Sequence, residues 1–216
     1  MDVTWLGHAC VRLRGKDGVV LMDPCAKSTG YAIGKQSADI VTVSRDDDEH
    51  GFVDAVAPQF RLLNRPGEYE IGGVLLNGLS TATRGKKAGE DGAGSRNVAF
   101  VVEIDELRVC HLGALDHTPG QDLIEGLSDI DILFTPVGGH GELDAERAAE
   151  VISLLQPRLV VPIRYSTEAS AQPLDSLEPF IKQLGREAPP PQPKLSVTRS
   201  NLPEQTQVVV LDYRSK

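Results

Sequence analysis

The chain of 216 residues is short of positive charge: 22 lysines and arginines stand against 31 aspartates and glutamates, a net charge of −9 at pH 7. Binding to a phosphate backbone needs a basic surface, so this balance argues against nucleic acid as a partner. It argues equally against an anionic membrane face. No apolar run approaches the ~20 residues of a membrane span. The opening MDVTWLGHAC lacks the basic start and long apolar stretch of a secretory signal. Paired cysteine spacing is missing too. Cys10, Cys25 and Cys110 are odd in number and fit reduced thiols in a cytoplasmic protein better than a disulfide framework. No signature of a serine or cysteine hydrolase surrounds them, and Cys110 and His111, adjacent on a strand, point to opposite faces. There is no internal repeat. The expectation is one acidic, cytoplasmic domain spanning residues 1–216.

What is present is ordinary globular material, 40% hydrophobic and 25% charged, in two rhythms. The N-terminal third reads as short strands at residues 2–6, 11–14, 19–22, 38–43, 59–63, 69–71 and 74–79, punctuated by Asp17-Gly18, Asp23-Pro24, Pro66-Gly67 and Gly72-Gly73. Residues 84–97, RGKKAGEDGAGSRN, read as a polar, glycine-rich surface loop. Strands then alternate with helices. Strands are expected at 98–104, 108–112, 131–137 and 158–165, and a helix at 121–127. Asp144 is placed to cap a further helix whose apolar face is Ala148, Val151, Ile152 and Leu155. Leu177, Ile181 and Leu184 mark another helix, APPPQP at 188–193 an extended connector, and 194–198 and 207–213 the last strands. Strands first, then strands with helices, imply two sheets covered by helices.

The chemistry gathers at VSRDDDEHGF, residues 43–52, at the mouth of the apolar strand 38–43. Four acids and a histidine there suggest a metal site, yet the cluster is headed by an arginine. A solvated acidic turn is the bland reading, and an EF-hand loop fails because its glycine and distal glutamate are out of place. The GGHGE run, 138–142, lies between a strand and a helix, the right context for a small anion. It lacks the lysine and serine of a nucleotide-binding loop. His111 reads as a core histidine satisfied by backbone.

Taken in order, TWLGHA (4–9), LMDP (21–24), ADIVTVS (38–44), RPGEYEIGGV (65–74), RVCHLGALDH (108–117), TPVGG (135–139) and QPRLVVPIRY (156–165) resemble the metallo-β-lactamase fold superfamily, in its lactonase-like metal-dependent hydrolase branch. The resemblance runs over nearly the whole chain. It implies an α/β fold, a four-layer αββα sandwich with the active site on one edge between the sheets. It also implies one or two metal ions held by a pattern H-x-H-x-D-H, which falls on Arg45, Asp47, Glu49 and His50. A further histidine position falls on Thr83, an aspartate position on Ala114 and a last histidine position on Arg164. Only His50 keeps the residue the resemblance implies. His8, His117 and His140 fall on the rim of such a site, with His8 read as bonding its own turn.

Arginine has a pKa above about 12, five donors and no acceptor, so it cannot ligate a metal. A second ion would lack its bridging carboxylate at Ala114. Arg45 and Arg164 are therefore expected to fill the vacated space and pair with Asp47 and Glu49, while Asp46 and Asp48 stay solvated. The leading expectation is a hydrolase-like protein with a degenerate site and no cofactor. It would bind a small molecule or a protein, or assemble with copies of itself, rather than catalyse. The rival is a metal-dependent hydrolase of lactones or phosphoesters, using one zinc or manganese ion on Asp47, Glu49 and His50.

Overall fold

The computed structural model describes residues 1–81 and 97–213. Thr83 and residues 84–96 of the expected loop lie outside the described residues. The N-terminal strands are β1 (Asp2–Gly7), β2 (Cys10–Arg14), β3 (Val19–Met22), β4 (Ile40–Thr42) and β5 (Arg61–Leu63), followed by β6 (Gly67–Ile71) and β7 (Val74–Ser80). Then come β8 (Val98–Ile104), β9 (Leu107–His111), helix α1 (Gln121–Gly126), β10 (Ile132–Pro136), α2 (Ala145–Leu155) and β11 (Leu159–Ile163). Helix α3 (Glu178–Gln183), β12 (Leu195–Ser196) and β13 (Gln207–Val208) close the order.

These strands form two mixed sheets, one of six in the order β12-β1-β2-β3-β4-β5 and one of seven in the order β13-β11-β10-β9-β8-β7-β6. Alternation fixes how they face each other. In β1, Val3 and Trp5 are buried while Asp2, Thr4 and Leu6 are half-buried, as a strand with one core face requires. In β10 and β11 every residue is buried, the mark of strands covered on both sides. The main core joins Val3, Trp5, Val11, Leu13 and Val20 of the first sheet to Phe100, Val109, Leu133 and Val161 of the second. Helix α2 buries Ala148, Val151, Ile152 and Leu155 on the second sheet's side. Its first turn is capped by Asp144, which accepts from the Arg147 N–H at 2.9 Å. Gln156, in the left-handed region at φ 46°, ends it.

The outer face of the first sheet is covered more thinly. Leu21 and Val41 pack there against Cys25, Tyr31 and Val56, which come from loops carrying the 3-10 turns Lys27–Thr29 and Val53–Ala55. The whole is the αββα sandwich that the resemblance implies. The last two strands are shorter than expected. β12 stops at Ser196 because Thr198 caps the 3-10 turn Arg199–Asn201. β13 stops at Val208, after which the chain pairs with the proline-rich connector through Gln192 and Leu211. No helix among the described residues is long and apolar enough to cross a membrane.

Strands β3, β4 and β5 run parallel, as do β9, β10, β11 and β13. The loops leaving the C-terminal ends of β4, β9, β10 and β11 supply the polar side chains described next. Strand ends of this kind, beyond the sheet, are where α/β folds assemble their sites.

Candidate functional site

The loop after β4 is folded by Asp47. Its Oδ1 accepts the N–H groups of Glu49 and His50, each at 3.0 Å, a local turn of the kind aspartate favours. That turn sends alternate side chains inward: Arg45, Asp47 and Glu49 are half-buried and His50 is buried, while Asp46 and Asp48 are exposed. The expected solvation of those two aspartates is what the burial gives. Arg164 arrives from the end of β11 and His8 from the turn after β1. Both hold left-handed backbone angles, φ 49° and 52°, unusual for residues with a side chain. The Arg164 N–H donates to the His8 carbonyl at 3.0 Å, tying the two strained positions together.

The side chains then meet as an ion-pair cluster. Arg45 Nε donates to Asp47 Oδ2, and Arg164 Nη2 lies 3.1 Å from Glu49 Oε2. The two arginines thus pair with the two acids as expected, and a third acid joins them. Glu142, fully buried in its side chain, lies 3.0 Å from Arg164 Nε, 3.2 Å from His50 Nε2 and 3.5 Å from Arg45 Nη2, all measured to Oε1. His50 Nδ1 faces Asp47 Oδ1 at 3.1 Å. His8 Nε2 faces Glu49 Oε2 at 3.3 Å, and its ring packs edge-on against His50. The side chain of His8 therefore reaches the cluster instead of bonding its own turn; its carbonyl holds the turn, accepting from Trp5 Nε1 at 2.8 Å.

Distance and direction disagree inside this cluster. His50 Nε2, Arg164 Nε and Glu142 Oε1 are buried and close to opposite charges, yet none makes a hydrogen bond of acceptable angle, and Glu142 Oε2 is buried without a hydrogen-bond partner too. Attraction there is Coulombic more than directional. The titrations follow from it. Burial alone would depress His50, but Glu142 and Asp47 override it and push the pKa up to about 9. A hydrogen bond from His8, with help from Arg164, holds Glu49 down at about 2 against the cost of burial. Burial raises Glu142, and His50, Arg164 and Arg45 more than reverse it, so its carboxyl is held low. Burial keeps His8 below the usual imidazole range, only partly offset by Glu49. At neutral pH three cations, Arg45, Arg164 and protonated His50, balance three carboxylates, Asp47, Glu49 and Glu142.

Glu142 is the residue that sequence reasoning missed. It lies in the GGHGE run that suggested an anion loop, and the structure corrects that reading. The run turns carbonyls, not N–H groups, toward the site: Gly139 O and His140 O accept from Arg164 at 2.8 and 3.5 Å. No local signal marks Glu142, because its partners are far away in sequence.

The other residues of interest sit around this centre. Ala114 is buried in the loop that follows β9 and offers no side-chain ligand atom. His111 is satisfied by backbone, with Gly113 N–H donating to Nδ1 at 2.9 Å and Nε2 facing Ala9 O at 2.9 Å. His140 lines a cavity of about 450 Å³ together with Asp116, Glu142, Asp144, Arg147 and Asp175, so it stands at the mouth of the cluster. His117 does not line it and pairs with Asp116 at 2.5 Å. A larger cavity of about 960 Å³, lined by Arg108, Asp131, Arg158 and Arg199 among others, shares no residue with the cluster.

Glu49, His50 and Glu142 are grouped so that one ligand atom from each lies within 4.8 Å of the others. Asp47, expected as a third ligand of any single ion, is not in that group and orients the imidazole instead. The donor set is nevertheless taken. The Arg164 guanidinium contacts both glutamates, and a dication between them would meet a fixed positive charge at contact distance. With Ala114 offering no bridge, the described residues as arranged do not fit a one- or two-ion centre.

Comparison with known proteins gives the lineage. A UPF0173 protein of Pyrococcus furiosus is 24% identical over 207 residues, covering 85% of this chain and 90% of the relative. A UPF0173 metal-dependent hydrolase of Thermococcus onnurineus is 28% identical over 219 residues, covering 87% and 94%. A crystal structure from Thermotoga maritima, assigned as a candidate zinc-dependent hydrolase of the metallo-β-lactamase superfamily, superposes with a TM-score of 0.80 at 29% identity over 97% of both chains. The family described as the beta-lactamase superfamily domain matches residues 2–164, and the chain belongs to it.

Proposed function

We propose that this chain uses the hydrolase scaffold without the metal-ion chemistry of its relatives, and binds a small molecule or a protein partner at the strand-end edge. One observation carries the reading. Arg164 lies between Glu49 and Glu142, within 3.1 Å of an oxygen on each, where a dication would otherwise be needed to offset their charge. Two arginines and an alanine at the expected ligand positions remove donors, and a neutral cluster of three cations and three carboxylates has no electrostatic call for an ion.

A second reading has support of its own. Relatives are named metal-dependent hydrolases, and those names favour catalysis over a purely binding role. In that reading one zinc or manganese ion on Glu49, His50 and Glu142 would polarise a lactone or phosphoester and activate water. It requires Arg164 to leave.

Elemental analysis of protein purified without chelator separates the two. The proposal expects well under one equivalent of zinc, manganese or iron and no chelator-sensitive hydrolysis of lactone or phosphoester substrates. Stoichiometric metal that leaves with a chelator, taking an esterase activity with it, would establish the hydrolase.

A further inference from the structure

We infer that the slot walled by Trp5, Tyr165 and Tyr213 binds a small quaternary ammonium compound, drawn by the ring faces and by the carboxylates of Glu168 and Asp212. The slot, about 250 Å³, is completed by Thr167, Pro191 and Leu211. It shares no side chain with the ion-pair cluster, so the inference does not depend on whether that cluster takes a metal. Tyr165 follows the end of β11 and Tyr213 the end of its parallel neighbour β13, and both pack against Trp5 of β1.

The rings do not form one stack. Trp5 and Tyr165 have centroids 5.1 Å apart at 31°, while Tyr213 stands at 81° to Trp5 and 89° to Tyr31. Rings set at such angles meet as the walls of a corner, and each carries negative potential on its face. Most of their polar atoms are already engaged. Trp5 Nε1 donates to His8 O at 2.8 Å, Tyr213 donates to Glu168 Oε1 at 3.3 Å, and the Tyr31 hydroxyl lies 2.8 and 2.9 Å from the hydroxyls of Thr167 and Ser170. The Tyr165 hydroxyl is the exception. It has no hydrogen-bond partner among the described residues, although the side chain is only 7% exposed and lines the slot. Burial, with Tyr31, Asp212 and Glu178 nearby, pushes its pKa up, so it stays protonated.

These features select a ligand class. Two carboxylates line the slot and, among the described residues, no lysine, arginine or histidine does, so the favoured charge is positive. A primary ammonium carries three donors that aromatic faces leave poorly met, whereas a methylated ammonium has none to satisfy and presents apolar surface to the rings. The unused Tyr165 hydroxyl suits a hydroxyl group on the ligand beyond its nitrogen. A volume below the ~300–1,000 Å³ of drug-sized pockets keeps that ligand small.

The test adds choline chloride at constant ionic strength and follows titration heat together with the fluorescence of Trp5, the only tryptophan in the chain. The expected result is saturation at about one equivalent, reproduced by tetramethylammonium and by neither ammonium nor the neutral tert-butyl analogue of choline. Tyr213→Leu should weaken choline about 3- to 30-fold, the range of one cation–π contact. Tyr165→Phe keeps the ring and should weaken choline while leaving tetramethylammonium unchanged. If Tyr213→Leu does not fold, Glu168→Gln, at an exposed position, carries the same test by removing charge without packing. Binding of the neutral analogue as tightly as choline would reduce the slot to an apolar crevice and overturn the inference. Absence of a saturable signal with either quaternary ammonium, or choline binding untouched by Tyr213→Leu and Glu168→Gln, would overturn it as well.

Discussion

Two polar regions share one edge of the sandwich, and they are held in opposite ways. Around Asp23, Asn97 and His111 nearly every donor has an acceptor. Asp23 receives Ser44 N–H at 2.8 Å and Ser44 Oγ at 2.5 Å. Asn97 donates to Thr81 Oγ1 and Leu112 O at 2.7 and 2.8 Å and accepts from Ala114 N at 2.7 Å. Around Glu142 the distances are as short but the angles are poor, and four buried atoms, His8 Nδ1, His50 Nε2, Arg164 Nε and a Glu142 oxygen, are among those left without a hydrogen bond. The first region is built of directed bonds between mostly neutral groups. The second is an exchange of charges. That difference teaches where change is tolerated: a directed network fails locally, whereas a charge cluster fails by imbalance.

The largest effect should come from unbalancing the cluster. Arg164→Met keeps the stem but removes a buried cation, and breaking a buried pair from one side costs about 3–5 kcal/mol. Glu142→Gln in the same chain should recover part of that loss, because it removes the acid left uncompensated. Denaturant unfolding of both singles and the double measures the coupling. Additivity to within about 0.5 kcal/mol would mean that Arg164 and Glu142 do not share charge.

Asn97→Ala probes the other region. It leaves the Ala114 N–H and the Leu112 carbonyl without partners in a buried setting, for a loss of about 2–3 kcal/mol. Because no ion is involved, the loss should be the same in low and high salt. A loss that shrinks steeply with salt would erase the distinction between the two regions.

Acid and base sharpen the comparison further. His50 is raised from 6.5 to about 9, so its contribution is complete below 6.5 and is lost as pH climbs through 9. Glu49 is lowered from 4.5 to about 2, so its contribution is complete above 4.5 and is lost as pH falls through 2. His8, held below 6.5 by burial, contributes fully only above 6.5, so stability should be greatest near pH 6.5, with His50 lost on the alkaline side and His8 and then Glu49 on the acid side. His50→Gln should lower the plateau and flatten the alkaline limb. An alkaline limb of unchanged slope in that variant would assign the titration to another group.

The sequence made the first region's neighbours and the framework legible, since alternation and helical spacing depend on local residues. Val3 and Trp5 against Thr4, or Ala148, Val151, Ile152 and Leu155, announce their faces directly. Arg45 with Asp47, and Arg164 with Glu49, were readable because an acid pair without its ions needs compensation. Glu142 was not. Its three cationic partners, Arg45, His50 and Arg164, lie on other loops, and nothing within the GGHGE run distinguishes a buried acid from a solvated one. The positive φ of His8 and Arg164 was equally hidden, and the backbone hydrogen bond that joins the two positions links loops far apart in sequence.

The smallest expected effect tests the alternation within the acidic run itself. Asp46 and Asp48 are exposed, while Arg45, Asp47 and Glu49 on either side of them are half-buried. Their carboxylates take part in no ion pair with the cluster's arginines, and Asp48 is used through its backbone, its carbonyl accepting from Ala26 N–H at 2.8 Å. Asp46→Asn and Asp48→Asn keep the side-chain shape and the backbone bond and remove only a solvated charge. Each should shift unfolding by no more than about 0.5 kcal/mol, the usual range for a surface substitution. Asp47→Asn, one position away, changes a carboxylate shared by Arg45 and His50 and should cost several times more. Equal losses across all three variants would mean that the run acts through its total charge, and the inward turn set by Asp47 would then not be what organises this edge.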